Sequence, residues 1–254
     1  MSIKKIRVMT YNVHSCRGMD GRVDPVRIAK VIEQFEPDLV ALQEITVRPG
    51  LLNNPDQSLV IAQHLRMHSH FQPAIAIEGG HFGICILSRY PFDIKRSGEL
   101  PGHFTSKFKT PLINVFFQSR HAIWCSVTLD DKQLYFINTH LGLRPKDRLM
   151  QINGLLDETW LGKAQKDNCP IIVCGDLNAG PKSVTCTKMS RCFREVRSHL
   201  PGKKMKTFSS VLPVFALDHI FFSEHFEVTS VKVPFNALTR RASDHLPVIA
   251  DLTF

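Results

Sequence analysis

An apolar run, Ile171-Ile172-Val173-Cys174, passes directly into Gly175-Asp176-Leu177-Asn178-Ala179-Gly180 and stops at Pro181. Apolar, β-favouring residues bounded by glycine and proline read as a short buried strand. The ends of such strands are where α/β proteins bind ligands. Asp176 and Asn178 are two apart, so on an extended backbone both side chains leave the same face. A carboxylate and a carboxamide set side by side there can hold a water and a phosphoryl oxygen. Alone, the same residues are also compatible with an Asx turn. Other segments have to decide their chemistry.

Those segments follow a strand–helix–strand rhythm. Ile6 to Val13 reads as a strand, and Asp24-Pro25 is a helix start, with Asp as cap and Pro at the first helical position, leading 26–35. A strand is expected over 39–45, a helix capped by Asp56 over 58–67, and strands near 71–77 and 83–88. A Gly/Pro/Lys-rich loop spans about 97–110, and a hairpin joins 122–129 to 133–139 through Asp130-Asp131. Leu149, Ile152, Leu155 and Trp160 predict one helix over 146–160. A polar, basic stretch then leads to about Lys206, and the chain closes with strands near 217–222, 226–233 and 248–252. No repeat or linker divides it, so one α/β domain over 1–254 is expected.

No apolar run reaches the ~20 residues that cross a bilayer, and the charged start lacks a signal-peptide core. A cytoplasmic location is therefore expected, export by a signal-less route aside. The seven cysteines contain no Cys-x-x-Cys pair, and Cys85, Cys125 and Cys174 lie in apolar runs, which predicts buried thiols rather than a zinc site. Lys plus Arg outnumber Asp plus Glu by 32 to 23, a formal +9 that favours a polyanionic partner. Nucleic acid, an anionic membrane surface and a phosphorylated small molecule all satisfy it.

Polar residues interrupt or terminate apolar runs at five further places: Asn12, Glu44, His140, Asp218-His219 and Asp244-His245. Singly, each has a plain structural reading, as a strand-end cap, a surface charge or a hydrogen-bonded core imidazole. Asp218, inside Leu-Asp-His-Ile-Phe-Phe, is the exception, because a buried carboxylate without a partner is costly. His245 is the natural partner.

Together the segments Thr-Tyr-Asn-Val-His (Tyr11, Asn12), Leu-Gln-Glu (Gln43, Glu44), Asn-Thr-His-Leu (138–141), Gly-Asp-Leu-Asn-Ala, Leu-Asp-His-Ile-Phe and Ser-Asp-His-Leu-Pro-Val (243–248) resemble the endonuclease/exonuclease/phosphatase superfamily. That group includes deoxyribonuclease I, apurinic-site nucleases, neutral sphingomyelinases and inositol-polyphosphate 5-phosphatases. The pieces stand in the family's order and run from Ile6 to Leu252. The resemblance implies a four-layer α/β sandwich, two mixed β-sheets packed face to face with helices outside, and a Mg²⁺ or Mn²⁺ cofactor. It also implies roles. Glu44 is the principal metal ligand, helped by Asn12 and Asp244, all hard oxygen donors suited to Mg²⁺. His245, oriented by Asp218, is general base or phosphate contact. Asp176 and Asn178 position the attacking water and a non-bridging oxygen, His140 donates to phosphate or leaving oxygen, and Arg120 clamps the phosphate.

Two departures stand out. His219 follows Asp218 where relatives often carry Arg or Tyr. The carboxylate that supports the first histidine in deoxyribonuclease-like members has no clear match, and Glu78 is the nearest candidate.

The implied reaction is metal-assisted hydrolysis of a phosphoester by in-line attack of water. Two substrate classes remain open. For a nuclease, the basic residues Lys182, Lys188, Arg191, Arg194, Arg197, Lys203, Lys204 and Lys206 follow Asn178 and can track a phosphate backbone, unless they form a solvated face. For a phosphatase or phospholipase-C-type phosphodiesterase, His81-Phe82 and His103-Phe104 can line a pocket. No hydrophobic insertion of wedge length is evident for a membrane version. An inactive binding protein is disfavoured, because no catalytic position is lost.

Overall fold

The computed structural model describes residues 5–48, 56–102, 119–129, 132–199 and 205–254. Twelve strands form two mixed six-stranded sheets. In the first, β11(Glu227–Lys232), β12(Val248–Thr253), β1(Lys5–Asn12), β2(Leu39–Val47), β4(Gly80–Ser88) and β3(His68–Ile77) lie side by side in that order. In the second the order is β5(Phe92–Glu99), β6(His121–Leu129), β7(Lys132–His140), β8(Ile171–Asp176), β10(Asp218–Phe222) and β9(Arg194–Glu195). Parallel pairs β1–β2 and β7–β8 sit at the centre of each sheet.

The sheets face each other because each strand carries an apolar stripe at period two. Ile6, Val8, Leu39, Ala41, Ile84 and Ile86 of the first sheet meet Ile123, Cys125, Phe136, Ile172, Cys174 and Ile220 of the second. On the outer face of the first sheet, Met9, Tyr11, Val40 and Leu42 are covered by Ile28, Ile32 and Ile61 from α1(Pro25–Glu33) and α2(Gln57–Leu65). On the outer face of the second, Trp124, Tyr135 and Ile137 pack under Ile152 and Leu155 of α3(Pro145–Leu156) and Leu161 of α4(Leu161–Lys166). The expected four-layer sandwich is therefore present. Both anticipated caps form, Asp24 accepting from the Arg27 N–H and Asp56 from the Leu59 N–H. Cys85, Cys125 and Cys174 are buried and free.

Four expectations change. The helix expected over 146–160 stops at Leu156, and the next begins only at Leu161, because Asp157 leaves the helix at ψ 173° and its side chain and carbonyl bind the Thr159 and Trp160 N–H groups. Phe92–Glu99 form an unexpected edge strand, β5, reaching into the loop expected from 97, and its exposed Asp93, Lys95 and Arg96 give it no apolar signature. The basic stretch after Pro181 contains α5(Val184–Met189) and the short β9, which are too brief to show periodicity. α6(Ala237–Ala242) was missed for the same reason, although Asn236 and Thr239 cap it reciprocally. The Asp130-Asp131 turn, His103-Phe104 and Lys203-Lys204 lie outside the described residues.

The inward stripes share one further property. Read towards one end of the sandwich they turn polar: Ile6-Val8-Thr10-Asn12, Leu134-Phe136-Asn138-His140, Ile172-Cys174-Asp176 and Phe222-Ile220-Asp218. There the sheets are joined by hydrogen bonds rather than hydrocarbon. Gln43 donates to Asn138 Oδ1 (2.8 Å), and Asn138 Nδ2 donates across the gap to the carbonyls of Leu42 (2.9 Å) and Cys85 (2.8 Å). Those two carbonyls sit where the β2–β4 register jumps between Leu42 and Ile45, a β-bulge. Asn138 thus satisfies acceptors that the interrupted ladder would leave bare.

We expect Asn138→Ala to cost about 3 kcal/mol in urea unfolding, since buried carbonyls left unpaired cost roughly 1–3 kcal/mol each. A loss under about 1 kcal/mol would contradict this role.

Candidate active site

At the polar end lies an open cavity of about 700 Å³, lined by Glu44, Arg120, His140, Asp176, Asn178, Asp244 and His245 among others. Three positions around it hold strained backbone. The bulge puts Glu44 at φ 60°, the turn after β8 puts Asn178 at φ 49°, and His14 follows β1 at φ 49°. Glutamate rarely takes the left-handed region, and such outliers gather at functional sites. Gly175 lets β8 approach β7 closely, because a Cβ there would lie 2.1 Å from the Thr139 carbonyl oxygen.

Asn12 joins the two halves. Its Nδ2 donates to Glu44 Oε1 (3.0 Å) in its own sheet and to Asp176 Oδ2 (3.0 Å) in the other. Its Oδ1 accepts from the His14 N–H (3.1 Å). Asp176 Oδ1 accepts the Asn178 N–H (2.8 Å), so the Asx turn and the strand-end site are one object. The Asn178 carboxamide donates to the Leu141 carbonyl (2.9 Å) and lies 3.2 Å from His140 Nε2.

His140 is almost fully buried, with Arg120 Nη1 3.0 Å from its Nδ1. Arginine cannot accept a hydrogen bond, so Nδ1 is the acceptor and the neutral ring carries its proton on Nε2, which leaves the Asn178 amide nitrogen beside Nε2 as a contact rather than a hydrogen bond. Burial, then the Arg120 and His245 charges, hold this imidazole well below the usual histidine range. Nε2 points towards Asp176 Oδ2 (3.6 Å) and Glu44 Oε1 (3.9 Å). The carboxylate sought behind this histidine is absent among the described residues. Glu78 is exposed in the β3–β4 turn, and Arg120 stands behind the ring instead. Burial also lowers the Arg120 pKa, against the pull of Glu44 and Asp176.

His245 has the opposite environment. Its Nδ1 lies 2.9 Å from Asp218 Oδ2 and its Nε2 3.8 Å from Asp176 Oδ2. Burial opposes its charge, but Asp218 and Asp176 outweigh it and push the ring up to about 10. Burial opposes ionisation of Asp218 too, yet His245 holds it below its ordinary value. Asp176 shifts upward, through burial and then the Asp218 charge. One histidine is thus neutral and the other cationic, facing a shared carboxylate.

Glu44 and Asp244 line the cavity with side chains 25% and 28% exposed, and among the described residues neither pairs with a lysine or arginine. Hard carboxylates left unneutralised beside an open cavity fit a divalent cation. The more compact trio Asp176, Asp218 and His245, with ligand atoms within 4.8 Å of one another, contains an ion pair that already satisfies itself.

Sequence reasoning missed His14, whose buried Nδ1 has no hydrogen-bond partner among the described residues and lies 3.8 Å from Asp244 Oδ1. It stands two residues past Asn12 and on no regular strand, so period-two reasoning passes over it. Phe82, expected to line a pocket, does line this cavity, whereas Phe208, Phe215 and Arg148 beside it were not anticipated. His219 points away from the cavity: its Nε2 donates to the Ala179 carbonyl (2.8 Å) and its Nδ1 accepts from Arg197 (3.1 Å).

Sheet pairing and helical layers form a four-layer α/β sandwich with the polar cavity at one end. The sequence model of the endonuclease/exonuclease/phosphatase family matches residues 9–245, and the chain belongs to that family, whose members are phosphoester hydrolases generally dependent on divalent metals. Among curated proteins none matches. An endonuclease/exonuclease/phosphatase protein from Beutenbergia cavernae superposes with TM-score 0.78 at 23% identity, over 98% of this chain and 71% of that one. The human Nocturnin catalytic domain with bound sulfate gives 0.71 at 22%, over 98% and 93%. A mannosyl-6-phosphatase from Bacteroides thetaiotaomicron gives 0.73 at 19%, over 98% and 100%. At these identities the likenesses speak for the fold.

We expect long-range ¹H–¹⁵N spectra of the metal-free protein to show His140 neutral and protonated on Nε2 from pH 8 down to 5.5, while His245 carries both protons. Protonation of His140 Nδ1 within that range would contradict the assignment.

Proposed function

We propose that the chain is a Mg²⁺- or Mn²⁺-dependent phosphoester hydrolase in which Asp176, rather than His245, takes the proton of the attacking water. The observation that carries this reading is the Asn12 carboxamide. It bonds Glu44 and Asp176 at once, and so gathers carboxylates, two imidazoles and a buried guanidinium from both sheets around one cavity.

Glu44 and Asp244 would hold the metal, with Asn12 fixing Glu44 by hydrogen bond. When bound, the ion neutralises charge gathering on phosphate and leaving oxygens, an effect worth several kcal/mol. The remaining work belongs to side chains. Arg120 fixes His140 so that Nε2–H donates into the cavity, where a phosphate oxygen would sit. Asp218 and Asp176 favour the charged form of His245, which suits it to contact phosphate better than to take a proton. Held by Asp218, it is a buried cation for the phosphate and for the pentacoordinate charge. Asp176, raised by its surroundings yet fixed by two hydrogen bonds, is the acceptor whose basicity best suits the water proton. Asn178 holds the His140 side of the cavity through the Leu141 carbonyl.

The nuclease reading rested on a basic track from Lys182 to Lys206. Much of it is engaged internally: Lys188 bonds Asn153, Arg194 lies against Phe222 and Glu227, and Arg197 is spent on Glu195, His219 and the Asp218 carbonyl. The cavity wall, with Phe82, Leu143, Phe208, Phe215 and Leu217, supports the alternative class, a phosphoester carrying an apolar group.

Hydrolysis of bis-p-nitrophenyl phosphate should require Mg²⁺ or Mn²⁺, vanish with EDTA and return on adding metal. Asp176→Ala should lower kcat by about 10³-fold, within the range of lost acid–base and electrostatic help. Unchanged turnover in EDTA, or in Asp176→Ala, would sink the reading.

A further inference from the structure

Beside the cavity, the segment between Met205 and Leu217 folds back on itself. Phe208 and Phe215 exchange backbone hydrogen bonds (3.0 and 2.9 Å), and the base of the hairpin is tied to the catalytic segment by Ser210 N–H to the Asp244 carbonyl (2.6 Å) and Leu246 N–H to the Thr207 carbonyl (2.8 Å). What it projects is almost wholly apolar: Val211, Leu212, Pro213, Val214 and Phe215. Leu212 is 72% exposed and Phe215 58%, and Phe235 beside them is 54% exposed. A groove of about 610 Å³ runs between the hairpin and the segment after β11, lined by Met205, Lys206, Pro213, Lys232, Phe235 and Leu246. Lone exposed apolar residues are ordinary, whereas a contiguous, rigidly held group marks an interaction site.

The surrounding charge identifies the partner. Residues 205–217 and 231–243 contain Lys206, Lys232, Arg240 and Arg241 and no aspartate or glutamate. Arg241 is bound to Asp20. Among the described residues the other three have no acidic partner, and the Arg240 guanidinium lies 4.9 Å over the Phe235 ring. Aliphatic and aromatic side chains projecting from a cationic rim fit a surface that is negative outside and hydrocarbon beneath. A second copy of the chain would set like charges against each other. A nucleic acid would use the cations but gain nothing from Leu212 or Val211.

We propose that this hairpin and Phe235 dock the protein on anionic phospholipid bilayers. Phe215 belongs to both the hairpin and the cavity wall, so docking turns the catalytic mouth towards the lipid headgroups. The substrate class that follows is a phosphoester of an amphiphile, and this part rests on the hydrolase reading above.

The test is co-sedimentation with vesicles of phosphatidylcholine containing 30% phosphatidylglycerol, run in EDTA, beside vesicles of phosphatidylcholine alone. The wild type should bind the anionic vesicles and release on adding salt. Leu212→Glu should lower the partition coefficient at least tenfold with an unchanged melting temperature, as expected for an exposed residue, and Phe235→Ser should weaken binding in the same direction. Equal binding by wild type and Leu212→Glu would overturn the proposal. So would absence of wild-type binding, or a wild-type dimer that Leu212→Glu converts to monomer. Bis-p-nitrophenyl phosphate hydrolysis by the wild type is scored separately: its failure with vesicle binding intact removes the hydrolase reading and leaves the docking surface standing.

Discussion

Two apolar sheet faces can slide over each other at small cost, because hydrophobic contact has no direction. Here a set of buried amides supplies the direction. Asn12, Gln43 and Asn138 make hydrogen bonds that close only if the strands of the two sheets stand in one alignment. A buried donor or acceptor left unpaired is expensive, so every slipped arrangement is penalised. The contacts that align the sheets also hold the bulge that presents Glu44 and the carboxylate of Asp176. Alignment and chemistry rest on the same residues.

This explains why the cavity lies where it does. Hydrocarbon fills the space between the sheets for most of their length, and the inward stripes turn polar together at one end. Carboxylates near that end cannot all be screened by water. The protein separates them by environment: Asp218 against His245, Glu44 and Asp244 towards the open cavity, Asp176 between two imidazoles of different charge. Groups whose surroundings push their proton affinities apart are what acid–base chemistry at neutral pH requires.

Much of this is legible in the chain before folding. The stripe Ile6-Val8-Thr10-Asn12 shows its change from apolar to polar at period two, and Asp218 within Leu-Asp-His-Ile-Phe-Phe announces a partner by the cost of burying it alone. What the sequence hides is what no local period carries. Arg120 behind His140 depends on β6 lying beside β7 in register, and the β3–β4 turn that places Glu78 in water is equally invisible in the local pattern. Phe92–Glu99 form a strand from hydrogen bonding at a sheet edge rather than from apolar content. The five apolar residues from Val211 to Phe215 carry nothing in sequence that marks them as exposed, and the backbone bonds of Phe208 and Phe215 turn them outward. Arg197 counted as a candidate phosphate contact in the sequence and is a buried bracket for Asp218 and Glu195 in the fold.

The account stands or falls on whether acidic oxygens from distant parts of the chain meet at one ion beside both imidazoles. Titration with Mn²⁺, followed through the ring signals of all twelve histidines, reads this directly, because the paramagnetic ion broadens only nuclei near it. Selective loss of the His14, His140 and His245 signals, abolished in Glu44→Gln, is the predicted result. Sharp signals from His140 and His245 at saturating Mn²⁺, or broadening confined to histidines elsewhere such as His64 or His225, would contradict it.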